Sequence, residues 1–250
     1  MFRYRIRTSM RRPLPGGRSS RRAGESLDFM ELRGYAPGDD PRFVDWKAYA
    51  RSGRLYTRVW QGEERARFTF WLDGSASMNV FGKLAYARAV LRVLLAAAFP
   101  DQAYALGPDA IRRLHGPAAL EAVAPDPVGP LAALPRLLRA RGQPVLLSDG
   151  LDEGDWTGFF RSLARKQPIF IQILAPQELD PPLSPAEWRD VESGERRRAG
   201  PAEAEAYRAA LRRRVSVLRE SASAHGGYAH LRVGEEIVPA LRRQLVLEWR

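Results

Sequence analysis

The chain has 250 residues, 45% of them hydrophobic, enough for one sizeable core or for one large and one small unit. It carries 40 basic and 29 acidic side chains, a formal net charge of +11, and no cysteine. Disulfides, zinc–thiolate centres, iron–sulfur clusters and a cysteine nucleophile are therefore excluded. Apolar residues are spread along the chain, which argues against wholesale disorder. No apolar run approaches the roughly 20 residues needed to cross a bilayer, and the N-terminus lacks the apolar stretch of a secretory signal. A cytoplasmic protein is expected. Lysine occurs only at Lys47, Lys83 and Lys166, so nearly all the positive charge is arginine.

In chain order, residues 1–22 hold several arginines and no acid, and read as a flexible basic arm. Residues 23–66 read as a compact preamble packed on the core. Within it Pro37-Gly38 makes a turn. Asp40 is expected to cap a helix with Pro41 in its first turn and Phe43, Val44, Trp46 and Lys47 at helical spacing, stopped by Gly53. "RLYTRVW" alternates like a strand. Glu31, Arg33, Asp39, Asp40, Arg42, Asp45 and Lys47 are read as an ion-pair network docking the preamble.

From residue 67 to 247 short apolar runs alternate with helical patterns. Arg67–Leu72 is a strand, Lys83–Phe99 a largely buried helix, and "QAYALGPDAIRRLHG" two short strands about a Gly-Pro-Asp turn. Pro130–Arg141 is an amphipathic helix, Pro144–Asp149 a strand, Trp156–Lys166 a helix and Pro168–Leu174 a strand. Residues 176–201 are Pro- and charge-rich and read as an excursion. A long Arg-rich helix over Ala202–Ala224, the strand "YAHLRV" and a closing helix follow. Continuous apolar strands between helices predict an α/β fold: a doubly wound, mostly parallel sheet with helices on both faces.

Two of these strands end in an acid, Asp73 and Asp149. In open α/β sheets ligands sit outside the carboxyl ends of the strands, near the topological switch. After Asp73, Ser75 and Ser77 alternate along "DGSAS", so their oxygens can converge with one or two carboxylates. Such an all-oxygen set suits Mg²⁺. The same residues also suit a polar turn in which Ser77 or Asn79 caps the next helix. A serine nucleophile fits poorly: the order is not Gly-x-Ser-x-Gly. None of His115, His225 and His230 adjoins a strand-end acid.

"DGSASM" resembles the first loop, Asp-x-Ser-x-Ser, of the metal-ion-dependent adhesion site of von Willebrand factor A domains. "GESLDFMELRGYAPGDDPRFVDWKAYARSGRLYTRVWQGEE" resembles the hallmark segment of the bacterial domain-of-unknown-function-58 family (DUF58), whose members have a von Willebrand A-like core behind such a preamble. "LDPPLSPAEWRDVESGE" is similar to that family's excursion. The resemblance implies a Mg²⁺ site of Asp73, Ser75, Ser77 and Asp149. The second metal loop normally supplies a threonine, but here Gly129-Pro130 stands in its place, one hydroxyl short. The resemblance further implies a non-enzymatic protein-interaction module partnered with a MoxR-type AAA+ ATPase in chaperone-like assembly. Two other readings are a Mg²⁺-dependent hydrolase or phosphoesterase using Asp73 and Asp149, and a nonspecific nucleic-acid binder. The latter would use the basic arm and the helix "YRAALRRRVSVLRES", although no recognised nucleic-acid module accompanies the charge.

Overall fold

The computed structural model describes residues 4–6, 27–35, 44–62, 67–98, 102–114, 123–191, 194–244 and 247–249. The chain divides into two compact units, one of Met10–Arg65 and one of Met1–Ser9 with Ala66–Arg250. The first is thus inserted in the chain between two parts of the second.

In the inserted unit, β2 (Leu27–Gly34) pairs antiparallel with β3 (Tyr56–Gly62), with an irregularity between Phe29 and Glu31. Between them lies α1 (Trp46–Ser52). Its cap is Asp45, whose Oδ1 accepts the Ala48 N–H at 2.9 Å, and Gly53 at φ 65° closes it in the left-handed conformation. The stop at Gly53 is as expected. The start is not: Val44, expected inside the helix, makes a bridge to Thr57 that holds it extended, and the helix begins at Trp46. Asp40 and Pro41 lie outside the described residues. So do Asp39 and Arg42 of the expected ion-pair network, and Asp45 is a helix cap.

The larger unit holds β1 (Tyr4–Ile6), β4 (Arg67–Asp73), α2 (Lys83–Ala98), β5 (Gln102–Leu106), β6 (Ile111–Arg113), β7 (Pro125–Asp126), α3 (Pro130–Arg139), β8 (Gln143–Ser148), α4 (Trp156–Leu163) and β9 (Ile169–Leu174). It continues with α5 (Pro176–Leu179), the antiparallel hairpin β10 (Ala186–Arg189) and β11 (Arg196–Ala199), α6 (Pro201–His225), β12 (Gly227–Arg232), α7 (Ile237–Arg243) and β13 (Leu247–Trp249). The expected excursion is therefore ordered as one helical turn and a hairpin. Tyr4–Ile6, inside the segment expected as a flexible arm, instead pairs antiparallel with β13, and Ile6 is buried. The other residues of that segment lie outside those described.

The main sheet runs β12-β9-β8-β4-β5-β6, and β7 pairs with the carboxyl end of β4. All neighbours are parallel except β5 and β6. This is the expected α/β sheet. Period two splits its side chains between two faces. Phe68, Phe70, Leu72, Val145, Leu147, Ile171, Ile173, Ala229 and Leu231 join α2 and α7 in one core. Trp71, Leu146 and Phe170 join α3, α4 and α6 in the other. The chain leaves β4 to form β5 on one side, then returns across it to form β8 on the other. The switch in strand order thus falls between β4 and β8, the strands that end at Asp73 and Ser148-Asp149.

Candidate functional site at the strand ends

Asp73 closes β4 and is fully buried. Its Oδ1 accepts the Ser75 N–H (2.9 Å), and its Oδ2 accepts the Ser148 hydroxyl (2.6 Å). The Ser75 and Ser77 hydroxyls share a hydrogen bond at 3.1 Å in a 3₁₀ turn, Ala76–Asn79. So Asp73, Ser75 and Ser77 do gather at one point. Burial pushes the Asp73 carboxyl up from 3.8 to about 7, against the pull of the Ser148 and Ser75 donors, with the Asp149 charge adding to the rise.

Asp149 lies close by but turns elsewhere. The register pairs Leu72 with Leu147, so the neighbour across from Asp73 is Ser148. Asp149, one residue later, belongs to the opposite face. There its Oδ2 accepts the Lys83 ammonium at 2.7 Å and its Oδ1 accepts the Leu151 N–H at 3.1 Å. Lys83 Nζ also donates to Glu178 Oε1 at 2.5 Å, and Glu178 Oε2 accepts the Ala175 N–H at 2.8 Å. Gln172 Nε2 donates to the Asp149 carbonyl, and the Tyr228 hydroxyl in turn donates to Gln172 Oε1.

Gly129 and Pro130 begin α3 as its N-cap and first residue. Ahead of them Asp126 faces β4: Trp71 Nε1 (2.8 Å) and Arg136 Nη1 (2.6 Å) both donate to its Oδ2, and its carbonyl accepts the Gly74 N–H. A side chain at 129 would collide with the Asp152 carboxylate. The second loop therefore brings an arginine-paired acid and a bare backbone where a metal loop would bring a hydroxyl.

These residues do not fit Mg²⁺. The ion needs near-octahedral oxygens at about 2.0–2.1 Å. Each oxygen of Asp73 and Asp149 already accepts from a protein donor, and at Asp149 that donor is a cation, which repels a second cation at the same oxygen.

Residues 31–107 match the family model "Protein of unknown function DUF58". The DUF58 match takes in Asp73, Ser75, Ser77 and Lys83 and ends before Asp126, Asp149 and Glu178. Uncharacterized proteins of Mycobacterium bovis and of two Mycobacterium tuberculosis strains are 29% identical to this chain over 192 residues, 66% of this chain and 60% of each of theirs. The chain thus spans about three fifths of the length of these relatives.

Sequence reasoning missed Ser148, Lys83, Glu178 and Asp126. For Lys83 there was a signal. It is one of 3 lysines against 37 arginines, and it lies on the apolar stripe of α2 with Ala87, Val90, Leu91 and Leu94. Glu178 had none, since its segment read as excursion.

Among the described residues no helix is long and apolar enough to cross a membrane. In the Arg-rich helix α6, Ala204, Leu211, Leu218 and Ala222 form a buried stripe, while Arg212, Arg213 and Arg219 are exposed. That is the pattern of a core helix with a solvated face.

Proposed function

We propose that the chain is a non-enzymatic protein-interaction module with a von Willebrand A-like core, and that its partner is a MoxR-type AAA+ ATPase in chaperone-like assembly. The observation that carries this reading is the contrast at the strand ends. The acids are buried and already bonded, while the loops above them expose apolar side chains. Phe81, between the 3₁₀ turn and α2, is 51% exposed and sits at φ 53°, a backbone state that costs a bulky residue energy. Val128 after β7 and Leu183 after α5 are also exposed at loops following strand ends. A strained, exposed aromatic beside the switch point suits an anchor for a protein surface. The proposed fold and partner rest on the DUF58 match and on the resemblance of "DGSASM" to a von Willebrand A loop.

Capture of the purified ATPase on immobilised chain tests this. Phe81→Ser is expected to weaken capture about tenfold or more with the melting temperature unchanged. Absence of capture by the native chain sinks the reading. Hydrolysis through Asp73 and Asp149 would require a substrate to reach two acids with no exposed surface. Turnover of a phosphoester panel with added Mg²⁺, abolished in Asp73→Asn, would restore that alternative.

A further inference from the structure

Lys83 is out of place by every local rule. The first residue of α2 lies on the stripe that the helix buries, where a leucine or alanine would be ordinary. Instead a lysine is buried at 0% exposure, in a chain that uses arginine almost everywhere else. Long charged side chains are almost never fully buried unless paired. The pairing here draws on three separate segments: α2 after β4, the loop after β8, and α5 after β9. The ammonium meets Asp149 Oδ2 and Glu178 Oε1, and the second oxygen of each carboxylate accepts a backbone N–H. Lysine suits the place better than arginine. A compact ammonium fits between two carboxylates on different elements, whereas the planar guanidinium fork matches a single carboxylate edge-on.

We propose that Lys83 is the resident cation of the strand-end site. Its tethered ammonium supplies the charge at Asp149 that a divalent ion supplies in a metal-dependent adhesion site. It ties together the loops after three adjacent strands, and the recognition surface assembles without metal. The surface is the one assigned above to partner binding, so the inference rests on that reading for its biological meaning, but its charge chemistry is tested without a partner.

The experiment uses the full chain, stripped with chelator, and follows thermal unfolding with millimolar Mg²⁺, Mn²⁺ or Ca²⁺ against sodium chloride of equal ionic strength. The native chain is expected to show no shift beyond the ionic-strength control. Lys83→Met leaves two buried carboxylates without a counter-charge and is expected to lower the melting temperature by about 10 °C. The triple variant Lys83→Met/Asp149→Asn/Glu178→Gln, which removes the charges together, is expected to regain at least half of that loss. It also stands in for the single variant should the latter not fold. A saturable divalent-ion stabilisation of the native chain that Asp149→Asn abolishes would overturn the proposal. So would a Lys83→Met chain as stable as the native one, or a triple variant that regains nothing. Capture of the ATPase in chelator separates the two ideas. Capture that requires a divalent ion overturns the Lys83 proposal and leaves the interaction reading standing. Lack of capture under any condition ends the interaction reading and leaves the melting data to decide on Lys83.

Discussion

Asp73 shows how far two hydrogen bonds can offset burial. Donors on Ser75 and Ser148 favour the carboxylate, yet desolvation dominates and the group titrates at about 7 in the folded chain. Its folded value lies above its unfolded one, so the folded state holds the extra proton between them. The stabilisation is full below the unfolded value and is lost as pH rises through the folded one. The stability of the native chain relative to Asp73→Asn is therefore expected to fall between about pH 4 and about pH 8, by about 4 kcal/mol at most. Urea unfolding of both proteins across that range checks this, and parallel curves would contradict it. That Asp73 closes a strand was legible in "FTFWLDGSAS". That its partner is Ser148 was not. Apolar periodicity shows where strands lie, but which residues stand opposite one another depends on register between segments some 75 positions apart. A slip of one position separates an acid pair from an acid and a serine.

At the scale of elements, β7 fits closely against the end of β4. A methyl on Gly74 would lie 2.6 Å from Pro125 Cβ, and the Gly74 N–H is committed to the Asp126 carbonyl. Gly74→Ala is expected to cost about 1–3 kcal/mol, because the obstacle belongs to a paired strand rather than a flexible side chain. A chemical-denaturation midpoint no lower than native would show that β7 can move aside. Asp126 works on the same joint from the other side. It receives the Trp71 indole and the Arg136 guanidinium, and so joins β4 to α3. None of this was visible in "APDPVGPL", which reads as an irregular loop. A two-residue strand lacks any period, and its pairing comes wholly from tertiary context. The long elements fared better, since α2, α6, β8 and β9 each carry enough apolar residues to declare their buried face. The start of α1 shows the opposite case. Val44, expected inside the helix, is held extended by its bridge to Thr57, and Asp45 is the cap.

At the scale of the molecule, β1 and β13 close the larger unit across almost the whole length of the chain. Ile6 is buried in the same core as Leu91 and Leu241, more than 80 positions from either. Ile6→Ala is expected to lower the stability of that unit by about 2–4 kcal/mol, read as the loss in denaturation free energy. An unchanged stability would mean that the strand pairing does not contribute. The scarcity of lysine has a further, practical consequence. With an amine-acylating reagent, Lys47 is exposed and open to reaction, whereas Lys83 can react only when α2 lifts from the sheet. Cleavage at arginine isolates residues 68–88 as one peptide in which Lys83 is the single lysine. The mass of that peptide over time becomes a clock for the opening of the strand-end site, read from a side chain that nature has already placed at its centre.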